Sequence, residues 1–176
     1  MWSLPAGKTC PGSTSLCRDK CYARKAERQY PSVLPCRAQN YIDSKKSSFS
    51  HNMIALIKKS PAVRRHKLFR IHESGDFYSQ AYLQKWIKIC AALPEIQFLA
   101  FTKSFKLDYS MKPKNLQIVW SIWPDTKNAP KTGKFSIAGN CKTPKNTAEC
   151  VGNCDNCGIC WKLDQGLIKA VHFNIH

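Results

Sequence analysis

Acidic residues are scarce in this chain of 176 residues, where 11 Asp and Glu stand against 28 Lys and Arg for a formal net charge of +17. The excess favours anionic partners, either nucleic acid or a phosphate-bearing small molecule. Its local concentrations are Lys45-Lys46, Lys58-Lys59 and Arg64-Arg65-His66-Lys67, which read either as solvated helix faces and a basic loop or as a binding patch. Long apolar runs are missing too. No stretch approaches the roughly 20 apolar residues of a membrane span, so no membrane partner is expected. The opening from Met1 to Gly7 has neither the basic start nor the apolar run of a secretory signal, and a reducing cytoplasm follows as the expected location. Internal repeats, low-complexity tracts and linkers are absent, so residues 1–176 read as a single domain. Within it, 1–35 would form an N-terminal cluster loop and helix, 67–140 a β/α core, and 141–161 a C-terminal cysteine knot. A chain of this length buries about 70% of its unfolded surface and needs no staples to make a core.

Cysteine, by contrast, is plentiful, and eight of the ten fall into two groups: Cys10, Cys17 and Cys21, then Cys141, Cys150, Cys154, Cys157 and Cys160. Disulfides compete with metal ligation as the explanation. The CxxCxxC run of Cys154, Cys157 and Cys160 places thiols too close for paired bridges and at the spacing that wraps one metal centre. In the front group, three close cysteines suit a [4Fe-4S] cluster with one open iron; a zinc site would want a fourth ligand from Cys36 or a histidine. Cys36 and Cys90 read instead as small buried residues on helices. In the back group the fourth ligand would be Cys141 or Cys150. Cys141 is preferred because it lies at a predicted strand end and would tie the sheet to the knot, with Trp161 covering the centre. Four thiolates would close that site as structural zinc or as a second [4Fe-4S] cluster. Ligating cysteines bind as thiolates, so a loaded protein would be less basic than the count suggests.

Apolar patterning predicts an α/β fold, a partial (β/α) barrel with mainly parallel strands and cysteine-rich loops at both ends. A helix is expected from Arg18 to Gln29, stopped by Pro31 and Pro35, and a second from Cys36 to about Lys59, limited by Pro61. Short apolar runs at 67–71, 96–101, 116–122 and 134–138 read as buried strands, with a closing strand at Leu167 to Phe173. Ser79 would cap a helix running to Leu93, and strand, helix and strand in that order imply parallel pairing. The connection from Lys103 to Asn115 is short for a full helix.

In parallel α/β architectures functional groups gather beyond the carboxyl ends of the strands. The segment Ser74-Gly75-Asp76 lies there. Gly75 would allow close backbone approach, and Ser74 and Asp76 could bind hydroxyl or ammonium groups; the alternative is a turn in which Asp76 satisfies backbone amides. His72 reads as a base or ligand, or else as a hydrogen-bonded core residue, and Lys103 as a carboxylate or phosphate binder, or else a solvated loop lysine.

Taken together, Leu4-Pro5-Ala6-Gly7, Thr9-Cys10-Pro11-Gly12, the run from Cys17 to Cys21-Tyr22-Ala23, the run from Arg70 to Phe77 with Trp86, Phe101-Thr102-Lys103-Ser104 and the CxxCxxC before Trp161 resemble a small bacteriophage-encoded family, the gene product 88-like proteins. That family is in turn similar to radical S-adenosylmethionine proteins, through the loop ending in Cys21-Tyr22-Ala23 and a partial barrel. The resemblance implies a [4Fe-4S] cluster on Cys10, Cys17 and Cys21. It also implies that Ser74, Gly75 and Asp76 stand where radical enzymes bind the methionine amine, and that Asp76, His72 and Lys103 orient a small-molecule ligand. A reductase or flavodoxin would supply electrons in the host cytoplasm. Two features depart from the radical motif: the position matching its third cysteine is Arg24, and the chain looks short for six strands. The expected function is therefore an iron-sulfur protein with an open iron. The alternatives are a metal-stabilised nucleic-acid-binding or regulatory phage protein, and an electron carrier.

Overall fold

A computed structural model of the chain describes residues 1–152, 154–163 and 168–174. The helix expected from Arg18 to Gln29 is two pieces, α1 (Ser15–Asp19) and α2 (Tyr22–Gln29). The Thr14 hydroxyl accepts from the Cys17 amide and starts α1 early, and the extended backbone of Cys21 then makes that residue the N-cap of α2. The helix expected from Cys36 to Lys59 is likewise α3 (Val33–Lys45) and α4 (Phe49–Lys59), separated where Lys46 turns extended. Pro35 sits in the first turn of α3, where a missing amide hydrogen breaks no helical bond, so it stands inside a helix start and not at a stop. Pro61 likewise opens a short helix, α5 (Pro61–His66), with Ser60 capping it.

The remaining elements are β1 (Leu68–Ile71), α6 (Gln80–Ala91), β2 (Gln97–Thr102), β3 (Leu116–Ile122), β4 (Phe135–Ala138), β5 (Thr147–Glu149), α7 (Cys154–Cys157), a 3-10 turn (Ile159–Trp161) and β6 (Ala170–Phe173). Ser79 caps α6 as its position predicts, accepting from the Tyr82 amide. The strand β5, inside the cysteine-rich region, is too short and polar to carry an apolar signal. Of the predicted closing strand, Leu167 lies outside the described residues.

All six strands run parallel in one open sheet, in the order β1-β2-β3-β4-β6-β5. Six fit into a short chain because the strands span only three to seven residues and the connection from Lys103 to Asn115 carries turns in place of a helix. One face of the sheet packs on helices: Trp86, Tyr82 and Leu83 of α6 and Phe49, Met53 and Ile57 of α4 are buried against strand residues such as Phe69 and Phe98. The other face has a smaller core of Leu99, Val119, Leu163 and Val171. Among the described residues no helix is long and apolar enough to cross a membrane.

Candidate functional site

The first twelve residues form a strap along β1 that carries the front cysteines to the carboxyl ends of the strands. Trp2 pairs with Ile71 in parallel register, the His72 amide donates to the Trp2 carbonyl at 2.9 Å, and the Leu4 amide donates to the Ser74 carbonyl at 2.8 Å. The Asp76 amide then donates to the Thr9 carbonyl at 3.0 Å. Backbones meet closely here. A Cβ on Gly75 would stand 2.6 Å from the Leu4 Cβ, and one on Gly12 would stand 2.0 Å from the Lys103 carbonyl oxygen. Beyond the third strand, the Asp125 carboxylate accepts from the Leu16 amide at 2.8 Å and anchors α1. The segment bearing Cys10, Cys17 and Cys21 is thereby pinned over the ends of β1, β2 and β3.

The three partly buried front thiols are close enough to influence one another. Burial pushes the Cys10 thiol up to about 11, with the neighbouring Asp76, Cys17 and Cys21 adding to the rise against a hydrogen bond from the backbone at Gly7. Burial raises Cys17 as well, but the Lys103 ammonium hydrogen-bonds to it and opposes the rise. That ammonium also donates to the Ser121 hydroxyl at 2.9 Å and lies 5.4 Å from the centre of the Trp123 ring. The predicted site residues Cys10, Cys17, Cys21, Asp76 and Lys103 therefore share one corner. Cys36 is exposed on α3, contrary to its reading as a buried residue, whereas Cys90 is buried in α6 as expected.

Asp76 carries much of the local architecture. Its Oδ1 accepts from the Phe77 amide at 2.7 Å and the Thr102 hydroxyl at 2.6 Å, and its Oδ2 accepts from the Lys103 amide at 2.8 Å. These bonds clamp the end of β1 to the end of β2. Burial raises the carboxyl's pKa even though all three donors pull it down. The buried Ser74 hydroxyl has no hydrogen-bond partner among the described residues. His72 turns the other way, into the aromatic core. Its Nε2 pairs with the Tyr82 hydroxyl at 3.0 Å, its ring stands edge-on to Phe77, and burial, helped by Arg70, lowers its pKa to about 3. It is neutral at physiological pH and faces Phe77 and Tyr82.

At the back, Cys150, Cys154 and Cys157 are the thiols that influence Cys160, which burial pushes up to about 12. Cys141 is not among them: its charged neighbour is Asp125, the residue that anchors the front segment. As the side chains stand, no three His, Cys, Asp or Glu groups among the described residues form a ready metal cage.

Sequence reasoning missed a buried ion network behind the front cysteines. Arg37 bridges Glu27 at 3.0 Å and Glu73 at 2.7 Å, and Glu27 accepts from the Ala6 amide at 2.8 Å. A lone Arg beside Cys36 carries no periodic signal, and the partners come from three distant segments. Also missed was a polar cleft of about 190 Å³ beside Cys21, lined by Arg18, Asp19, Arg24 and Arg28, the last two of which lie one turn apart on α2.

Comparison with known proteins reaches the same segments. The chain is 26% identical over 192 aligned positions to the Gene 88 protein of Mycobacterium phage L5, and 25% identical over 193 to that of Mycobacterium phage D29. Each alignment covers 89% of this chain and 80% of the relative. No solved structure matches. The family profile described as Gene product 88 matches residues 1–136, from the strap through the front cysteines to the start of β4, and the chain therefore belongs to the Gene product 88 family.

Proposed function

We propose that this protein is an iron-sulfur protein in which Cys10, Cys17 and Cys21 hold a [4Fe-4S] cluster with one open iron facing a small-molecule ligand. The observation that carries this reading is the convergence of those three thiols with Asp76 and Lys103 beyond the ends of β1 and β2. The donor set fits: three soft sulfurs suit iron, and a three-ligand set leaves an exchangeable position. Such a cluster supplies an electron and a Lewis-acidic iron. The chain's own residues supply binding. Lys103 offsets thiolate charge, while Asp76 Oδ2, with one hydrogen bond made, keeps a lone pair for an ammonium group. The Ser74 hydroxyl is a further polar group in this turn, and the arginine cleft beside Cys21 suits a carboxylate or phosphate.

In this reading the open sheet is the arc of a partial (β/α) barrel, S-adenosylmethionine is the first ligand to try, and a reductase or flavodoxin of the host cytoplasm feeds the cluster. His72 serves as part of the supporting core. Protein prepared anaerobically should be brown and contain about four irons for the front cluster. Cys10→Ala, Cys17→Ala and Cys21→Ala should each remove about one cluster. A cluster spectrum, followed by electron paramagnetic resonance, should shift on adding S-adenosylmethionine. Full iron in any of the three variants removes that cysteine from the site, and an unresponsive spectrum removes the ligand. A colourless zinc protein that binds nucleic acid with steep salt dependence would favour the alternative suggested by the net charge of +17. Two clusters with no ligand response would indicate an electron carrier.

A further inference from the structure

A parallel sheet is normally covered on both faces, because its strands are apolar on both. Here helices cover one face, and among the described residues the cover on the other is slight. Among the described residues it consists of the 3-10 turn and Leu163, with Cys150 and Ile168 beside them, which lay Ile159, Cys160 and Trp161 against Leu99, Val119 and Val171. Helices of this length have no stability of their own in water. Among the described residues, the Gln117 amide donates to the Cys160 carbonyl, and the Cys150 amide donates to the His172 carbonyl at 2.8 Å.

Cys150 and Cys160 pack against this same core, and Cys154 and Cys157 lie between them in the chain, on α7. Gly152, two residues after Cys150, has a φ of 76°, and its amide donates to the Cys150 sulfur at 3.4 Å. Gly158, directly after Cys157, has a φ of 63°, and its amide closes back onto the Cys154 carbonyl at 3.3 Å. Both conformations favour glycine. They turn the chain on either side of Cys154 and Cys157, and the Gly152 amide on the Cys150 sulfur is the kind of outer-shell support that orients a thiolate ligand. Arg70 is the positive neighbour of Cys160 and would offset the negative charge of a thiolate set.

We infer that Cys150, Cys154, Cys157 and Cys160 form a closed four-thiolate metal centre that fastens the cover of the second sheet face, and that Cys141 lies outside it. This assigns the fourth ligand to Cys150, which packs on the same core as Cys160, whereas Cys141 does not. Its function is structural, since four protein sulfurs leave no position for a ligand. The inference is independent of the front cluster, which uses other cysteines.

Alkylation of the intact protein, mapped by mass spectrometry before and after chelation, tests the assignment. Cys154 is exposed and Cys150 and Cys141 are both partly exposed, so burial alone predicts ready labelling of all three. In metal-loaded protein Cys150, Cys154, Cys157 and Cys160 should label together and at least about tenfold more slowly than the exposed Cys36, and chelation should release them, while Cys141 labels before chelation. Metal analysis should find one zinc or one four-iron cluster assigned to this site, lost in Cys150→Ala and kept in Cys141→Ala. Should Cys150→Ala fail to fold, Cys150→His, which keeps a ligand, should restore soluble metal-loaded protein. Cys150 labelling as fast as Cys36 in loaded protein, or metal lost from Cys141→Ala and kept in Cys150→Ala, would overturn the assignment.

Discussion

At the scale of single residues, two side chains in one short segment take opposite roles. Asp76 and His72 both stand just past β1 and both look chemically capable in the sequence. The fold gives Asp76 three short hydrogen bonds from β2 and its own turn, and points His72 into aromatic packing. In Asp76→Asn one carboxylate oxygen becomes an amide NH2 group, so either the Lys103 amide or the Phe77 and Thr102 donors lose their acceptor in a buried place. The expected destabilisation is about 1–3 kcal/mol, seen as a lower urea midpoint with an unchanged slope. An unchanged midpoint would mean that the clamp contributes nothing. Because that substitution also disturbs structure, ligand affinity is better probed at Ser74, whose hydroxyl is buried without a partner among the described residues. His72 should give no imidazole titration by NMR between pH 5 and 8, since burial holds its pKa near 3. A midpoint near the ordinary 6.5 would return it to the set of catalytic candidates.

Among elements, apolar runs made β1 to β4 and α6 legible to within a residue or two, because each is buried enough to write its period into the sequence. Boundaries set by polar detail were not. The breaks at Cys21 and Lys46 depend on caps and local backbone angles, Pro35 acts at a helix start where the sequence suggested an end, and Pro61, beyond the expected end at Lys59, also opens a helix of its own. Of the candidate site, the front three cysteines were legible from their spacing, and the Ser74-Gly75-Asp76 turn and Lys103 as strand-end residues. Arg37 and Asp125 were not, since each works through partners far along the chain. Asn115 is a similar case. Its buried side-chain amide donates to the carbonyls of Cys90, Leu93 and Ile96, all at 2.9 Å, satisfying the end of α6 and the turn into β2. Asn115→Asp would face those three carbonyls with an acceptor, and should destabilise the protein by about 2 kcal/mol or more in denaturant titrations. Tolerance of that change would show that water can replace the amide.

For the whole molecule, the order of the last strands matters most: β6 inserts between β4 and β5, so the chain returns from the cysteine-rich segment into the sheet. His172 joins the three strands. On β6 it stands opposite Ile137 of β4 and Glu149 of β5, with Nδ1 2.8 Å from the Glu149 carboxylate and Nε2 2.7 Å from the Gly139 carbonyl. Both partners are acceptors, so only the imidazolium, with two N–H groups, satisfies both; the neutral ring can donate to one. The Glu149 carboxylate and then the Gly139 carbonyl accordingly raise the His172 pKa above its ordinary 6.5. A pKa raised on folding contributes stability that is full below the unfolded value, about 6.5, and is lost as pH rises through the higher folded value. Glu149 is exposed, which limits the effect to about 1 kcal/mol or less. The urea midpoint of the wild-type protein should therefore fall between about pH 6 and pH 8 more steeply than that of His172→Gln, which carries no titrating ring. Comparing the two profiles cancels every other titrating group, the cysteines included. Parallel profiles would show that the neutral ring holds β4, β6 and β5 together as well as the charged one.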